Sequence, residues 1–219
     1  MSGSSADSPG AARPETSWVY FPGLPADPAA TEAKHRLAGL LRQLAQECAT
    51  VDPAAAGAGK LVALSGPLAA VLSELEAMPR IDPRQRSADA SLAERGPFVG
   101  AGNPIASPLH LRLDGRTARG WAVYGSAYEG GIGDMHGGAV MAAFDDLLGC
   151  VQMAGPVVGR TGTLTVRFRA PSPIGRRIDY VGRLDRVEGR KAFCSGEATS
   201  EGVLLAEAEA VFIAAANPL

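Results

Sequence analysis

The sequence predicts an α+β fold: an antiparallel sheet wrapped around one long apolar helix, with a helical extension in front of it. Three observations predict it. The segment from Val140 to Met153 is apolar nearly all round, and a helix without a polar face belongs in an interior. Short β-like runs punctuated by turn signals flank that segment on both sides. Their order, strands then one helix then strands, is that of a sheet packed on a single helix.

Taken in order, residues 1–17 are small, polar and rich in Pro and Gly, and are expected to be disordered. Trp18 to Pro28 continues as an aromatic-proline segment, so residues 1–30 form a disordered or extended arm. Residues 31–95 form a helical extension and linker. From Thr31 to Val51, Leu37, Leu40, Leu41, Leu44 and Cys48 recur at three- and four-residue steps, as in an amphipathic helix. Thr31 is its expected N-cap, with Lys34 and Arg36 facing water. A second helix is expected from Lys60 to Met78, started or kinked by Pro67. Arg80 to Arg95 is charged, contains Pro83 and is expected to be a linker.

The texture changes at Gly96, and residues 96–219 make the sheet-and-helix domain. Strands are expected at Leu109–Leu113 and Thr117–Tyr124, joined at Asp114-Gly115. Glycine-dense Gly130–Gly138 leads into the apolar helix. Further strands follow near Thr161–Arg169, Arg177–Val187, Lys191–Ser200 and Leu204–Ala214, with turns at Pro171–Gly175 and Glu188-Gly189.

Composition narrows the function. Hydrophobic residues are 46% of 219, enough for a packed core, and the formal net charge of −2 supplies no basic footprint for nucleic acid. Cys48, Cys150 and Cys194 stand far apart, without the close pairing of metal or redox motifs, and suit a reducing compartment, the cytoplasm. Cys150 and Cys194 are expected in the core. No stretch approaches the roughly 18 consecutive apolar residues of a membrane span, so none is expected. His35 is expected to face solvent and His110 to be packed or at the surface, which leaves no metal site in view.

Chemistry concentrates on the apolar helix. His136-Gly137-Gly138 opens it, and Asp145 and Asp146 sit in its middle. A carboxylate in an apolar setting is costly unless partners or function compensate. Neighbours on a helix diverge by about 100°, so the two cannot both point one way. The residues alone leave open whether they face a cavity, a subunit contact or water. Two glycines at a helix start leave N–H groups able to hold the oxyanion of an attacked carbonyl; a tight turn would also account for them. Gly137 and Asp145 lie eight residues apart, about 12 Å along the axis. If both act on one carbonyl, two chains running antiparallel must share the site.

At this point the residues match a family. The stretch HGGAVMAAFDDLLG resembles the helix signature of hot-dog-fold thioesterases of the 4-hydroxybenzoyl-CoA thioesterase superfamily, in its PaaI-like and thioesterase-superfamily-member branch. NPIASPL and AYEGGIGDMHGG before it, and TLTVRFRAPSPIG and DRVEGRKAFCSGEATSEGVLLAEAEAVFI after it, extend the resemblance from about Gly96 to Ala215. It implies an acyl-CoA thioesterase of hot-dog fold, a homodimer assembled into a dimer of dimers, with acyl-CoA as substrate and no metal or cofactor. Asp145 would be general base or nucleophile, Gly137 N–H the oxyanion donor, and His136 would orient the turn. Thr161 matches the position of a Ser or Thr that orients the water or the carboxylate, and Asp146 is left as interface or helix-edge charge. Gly138, Arg190 and Lys191 are candidate CoA contacts. Some relatives carry Asn a few residues before HGG, where this chain has Glu129-Gly130-Gly131. A non-catalytic acyl-CoA-binding module is the alternative.

Overall fold

The computed structural model describes residues 27–82, 91–107 and 109–214. The expected arm before Asp27 and half of the expected linker, residues 83–90, lie outside these.

The first helix, α1 (Pro28–Thr50), starts earlier than its leucine pattern suggests. Its N-cap is Asp27, not Thr31: the Asp27 carboxylate accepts from Ala29 and Ala30 N–H, both at 3.0 Å, and Pro28 takes the first helical position. Asp followed by Pro is a better start than Thr, because the proline gives up only an N–H with no helical partner. Asp52-Pro53 repeats the device at the short α2 (Pro53–Ala56), which the apolar pattern did not foretell. Helix α3 (Ala58–Ala77) contains Pro67 in its interior. Leu37 and Leu41 are half-buried and Ala38 buried, but Leu40 and Leu44 are exposed, so only part of the α1 stripe packs.

One helix bears on the expectation about membrane spans. By length and composition α3 is one helix long and apolar enough to cross a membrane. Ser65, Gly66, Lys60 and the C-terminal glutamates break its apolar run without lowering its average much, and a count of consecutive residues misses such a segment. The end of the expected linker is also structured. Leu92–Arg95 forms a helical turn, α4, with Ser91 Oγ accepting from Glu94 N–H at 3.2 Å.

Strands β1 (His110–Asp114), β2 (Thr117–Val123), β5 (Arg160–Phe168), β6 (Arg177–Glu188), β7 (Lys191–Ser200) and β8 (Val203–Ile213) form one antiparallel sheet in the order β1-β2-β6-β7-β8-β5. A separate small hairpin, β3 (Glu129–Gly131) with β4 (Asp134–Met135), precedes the long helix α5 (Gly137–Gln152). The β7–β8 turn is Glu201-Gly202, both with positive φ (49° and 82°), as a two-residue hairpin of the favoured twist requires.

Helix α5 touches all six strands of the large sheet and buries Val140, Ala143, Phe144, Leu147, Leu148, Cys150 and Val151. Close approach is possible because β6 and β7 carry glycine beneath it. A Cβ on Gly182 would lie 2.9 Å from Val151 Cγ2 and 3.0 Å from Leu147 Cγ, and one on Gly196 would lie 3.1 Å from Leu148 Cδ2. Cys150 and Cys194 are in the core as expected, and burial pushes both thiols up to about 12. The architecture is the predicted antiparallel sheet around one helix, with the helical extension in front.

Candidate active site

His136 is the N-cap of α5, and its Nδ1 accepts from Gly138 N–H at 3.0 Å. Its backbone N–H is held by Tyr128 carbonyl at 2.8 Å, which fixes where the helix begins. Gly138 N–H is therefore engaged by the cap, whereas Gly137 N–H is not taken up by it. Beside Gly137 lies a groove of about 470 Å³ lined by Asp134, Met135, Val140, Phe168, Arg169 and Pro171, among others. Phe168 crowds Gly137: its Cζ is 3.4 Å from where a Cβ would stand.

Two turns further along α5, the half-buried Asp145 meets the start of β5. Thr161 Oγ1 donates to Asp145 Oδ1 at 2.7 Å. The two aspartates diverge as helix geometry requires. Asp146, the next residue along the helix, is half-buried. Burial, with the Asp145 charge beside it, pushes its carboxyl from 3.8 up to about 6.

Of the residues singled out in the sequence, the structure joins Asp145 with Thr161 and His136 with Gly138, and keeps the two pairs about two turns apart along the helix. Arg190 and Lys191 lie apart, at the exposed β6–β7 turn, where Arg190 Nη1 donates to Ala214 carbonyl at 3.3 Å. Lys191 is in register with Ile213, and Ile213 with Arg160, so Lys191 is two strands from the start of β5. Arg160, exposed and adjacent to Thr161, was not singled out from the sequence; it adds a cation to this end of the sheet.

Of the histidines, His35 differs from expectation and His110 is packed as expected. His35 is not simply solvated: its Nε2 lies 2.6 Å from Glu94 Oε2, and Lys34 Nζ donates to Glu94 Oε1 at 2.6 Å. Glu94 is buried, so both side chains are drawn from the water side of α1 towards it. Arg36 does face water, paired with Glu32. His110 stacks on Trp121, with ring centroids 4.2 Å apart, and burial lowers its proton affinity.

Residues 132–207 match a family model described as thioesterase superfamily. The chain is 34% identical over 93 residues to the acyl-coenzyme A thioesterase THEM4 of Xenopus laevis, covering 41% of this chain and 41% of that protein. It is 35% identical over 92 residues to the acyl-coenzyme A thioesterase THEM4 of Bos taurus, covering 41% of this chain and 38% of that one. The chain thus spans about two fifths of the length of the curated relatives it matches. Among solved structures, a thioesterase superfamily protein superposes with a TM-score of 0.74 at 24% identity, over 86% of this chain and 96% of that one. That coverage exceeds residues 91–219, which are 129 of the 219, so the shared fold extends into the helical extension.

Proposed function

We propose, on the premise that residues 132–207 form a thioesterase-superfamily domain, that the protein hydrolyses an acyl-CoA thioester to a free carboxylic acid and CoA. The observation that carries this reading is the Thr161–Asp145 hydrogen bond. It holds a carboxylate in one rotamer in the middle of an otherwise apolar helix, a costly arrangement that a binding surface does not need. As general base, Asp145 takes a proton from water while the water oxygen bonds to the carbonyl carbon. The C–S bond then breaks and the thiolate leaves, taking up a proton. As nucleophile, Asp145 itself adds to the carbonyl and expels the thiolate, and water opens the resulting anhydride.

Gly137 N–H is the donor assigned to the developing oxyanion, and His136 holds the turn that presents it. The roughly 12 Å of helix between Gly137 and Asp145 means that one chain does not supply both groups to one carbonyl. A homodimer solves this. Among the described residues β5 pairs only with β8, and the other edge of this nine-residue strand is open for a second copy to extend the sheet. CoA phosphates are assigned to Arg190 and Lys191, with Arg160 as a third cation.

The test is thiol release from acyl-CoAs of several chain lengths by wild type, Asp145→Asn and Asp145→Ala. A fall of at least about a hundredfold in both variants, with folding intact, supports a catalytic carboxylate. Acyl-CoA binding without any hydrolysis in wild type would favour a binding module and remove the role given to Asp145.

A further inference from the structure

Helix α1 meets the sheet domain along one line of its surface. His35, Ala38, Arg42 and Gln46 recur at three- and four-residue steps, which sets them in one stripe. Ala38 is buried, and the polar members of the stripe bond to the body. His35 Nε2 lies 2.6 Å from Glu94 Oε2, and Arg42 Nη1 donates to the carbonyls of Asn103 (2.8 Å) and Ala101 (3.3 Å). Gln46 Oε1 accepts from Ala127 N–H at 2.7 Å, and Gln46 carbonyl accepts from Ser126 Oγ at 3.1 Å. Hydrogen bonds are directional and apolar contact is not, so this stripe fixes the rotation of α1 as well as its place.

The Gln46 contacts fall on a turn beside the candidate site. Ser126–Tyr128 is a single 3-10 turn, and the first N–H groups of a helical turn have no partner within it. Its N-cap is Gly125, which has no side chain to offer them. Gln46 supplies the missing acceptor from another element. The two residues fit as a pair, since a Cβ on Gly125 would overlap the Gln46 amide. The other end of the turn holds the start of α5. Tyr128 carbonyl accepts from His136 N–H at 2.8 Å, and Tyr128 Oη donates to Ile105 carbonyl at 2.6 Å. Gly130, just beyond the turn, packs so closely that a Cβ there would lie 2.6 Å from His136 Cα. His136 caps α5, and the next residue is Gly137.

We propose that Gln46 is a positioning residue: by capping the Ser126–Tyr128 turn it sets, through Tyr128 and His136, where the Gly137 N–H points. This rests on the thioesterase reading. An oxyanion donor must stand about 2.7–3.1 Å from the oxygen it serves, and a displacement of about 1 Å costs up to a hundredfold in rate. The contribution of Gln46 lies below that limit. Met135 N–H donates to Ser172 carbonyl at 2.8 Å, so the far end of residues 126–135 stays fastened to the body without α1. Loss of Gln46 frees one end only.

The experiment uses the full chain with Gln46→Met, which keeps the length and loses the acceptor, and Gln46→Glu, which keeps both. Ser126→Ala removes the second bond, and Gln43→Met, at an exposed position one turn earlier, is the control. Each is followed by steady-state thiol release, by the Gly137 amide resonance and by exchange of the Ala127 amide. Gln46→Met is expected to lower kcat about three- to tenfold with KM within about twofold. It should also shift the Gly137 resonance and accelerate exchange at Ala127. Gln46→Glu should stay within about twofold of wild-type kcat, with the Gly137 resonance in place. Ser126→Ala should lower kcat about twofold and move the resonance less, and Gln43→Met should match wild type throughout. Wild-type kcat or an unmoved Gly137 resonance in Gln46→Met would overturn the proposal. So would an equal fall in kcat in the Met and Glu variants, since the acceptor would then not be what acts. If Gln46→Met does not fold, Ser126→Ala decides: an unmoved Gly137 resonance there overturns it. Absence of hydrolysis in wild type would instead sink the thioesterase reading, and the Gly137 resonance of Gln46→Met would still report whether the cap reaches the start of α5.

Discussion

Helices α5 and α3 have nearly the same character and opposite surroundings. Both are apolar on almost every face; α5 buries eight of its residues, and α3 buries none. The difference lies in what faces them. The sheet offers α5 a surface with glycines where its leucines approach, at Gly182 and Gly196. Helix α3 contacts mainly the four-residue α2, and Val62, Leu64, Leu68, Val71 and Leu72 stand exposed. Apolarity all round says that a helix seeks cover; only a complementary partner surface says where the cover comes from.

The sharpest break of that comparison is a cavity beneath α5. Phe144→Ala or Leu147→Ala removes a fully buried side chain from α5, and should cost about 3–5 kcal/mol in denaturant unfolding. A loss below about 1 kcal/mol at Leu147 would mean that α5 is not the centre of the core.

A second expected effect is electrostatic and belongs to α5 alone. The folded protein binds the Asp146 proton more tightly than the unfolded chain does, at about 6 against 3.8. The associated stabilisation is therefore full below about pH 4 and lost as pH rises through about 6, with a ceiling of about 3 kcal/mol. Asp146→Asn should remove this component. The stability difference between wild type and variant should change over pH 4 to 7, whereas a constant difference would mean that Asp146 is not buried as described. Smaller again is Gly182→Ala. Its methyl presses on Val151 and Leu147, and overpacking of this kind costs about 1–3 kcal/mol.

These contrasts show what the sequence carried. Helix α5, the strands of the large sheet and Asp145 were legible because each rests on a contiguous signal, an apolar run, period-two strands or a short motif, whereas Thr161 came only with the family resemblance. The α1 start was legible only in Asp27-Pro28, which a search for leucine periodicity passes over. Glu94 with His35 was not legible. The two are 59 residues apart, and no local pattern joins them. The fate of α3 was invisible for the same reason, since burial depends on the surface opposite.

The smallest expected effect falls on α3. Leu72 is 57% exposed, so Leu72→Gln removes little buried area and keeps a good helix former. Surface changes of this kind move stability by about 0.5 kcal/mol or less. Unfolding of the variant and wild type should therefore coincide at low protein concentration. Repeating the pair over a hundredfold concentration range sharpens the contrast with α5, because cover supplied by a second copy adds stability by mass action and core packing does not. A Leu72→Gln defect that appears only at high concentration would place α3 in an interface. A defect of several kcal/mol at every concentration would mean that this chain buries α3 as it does α5.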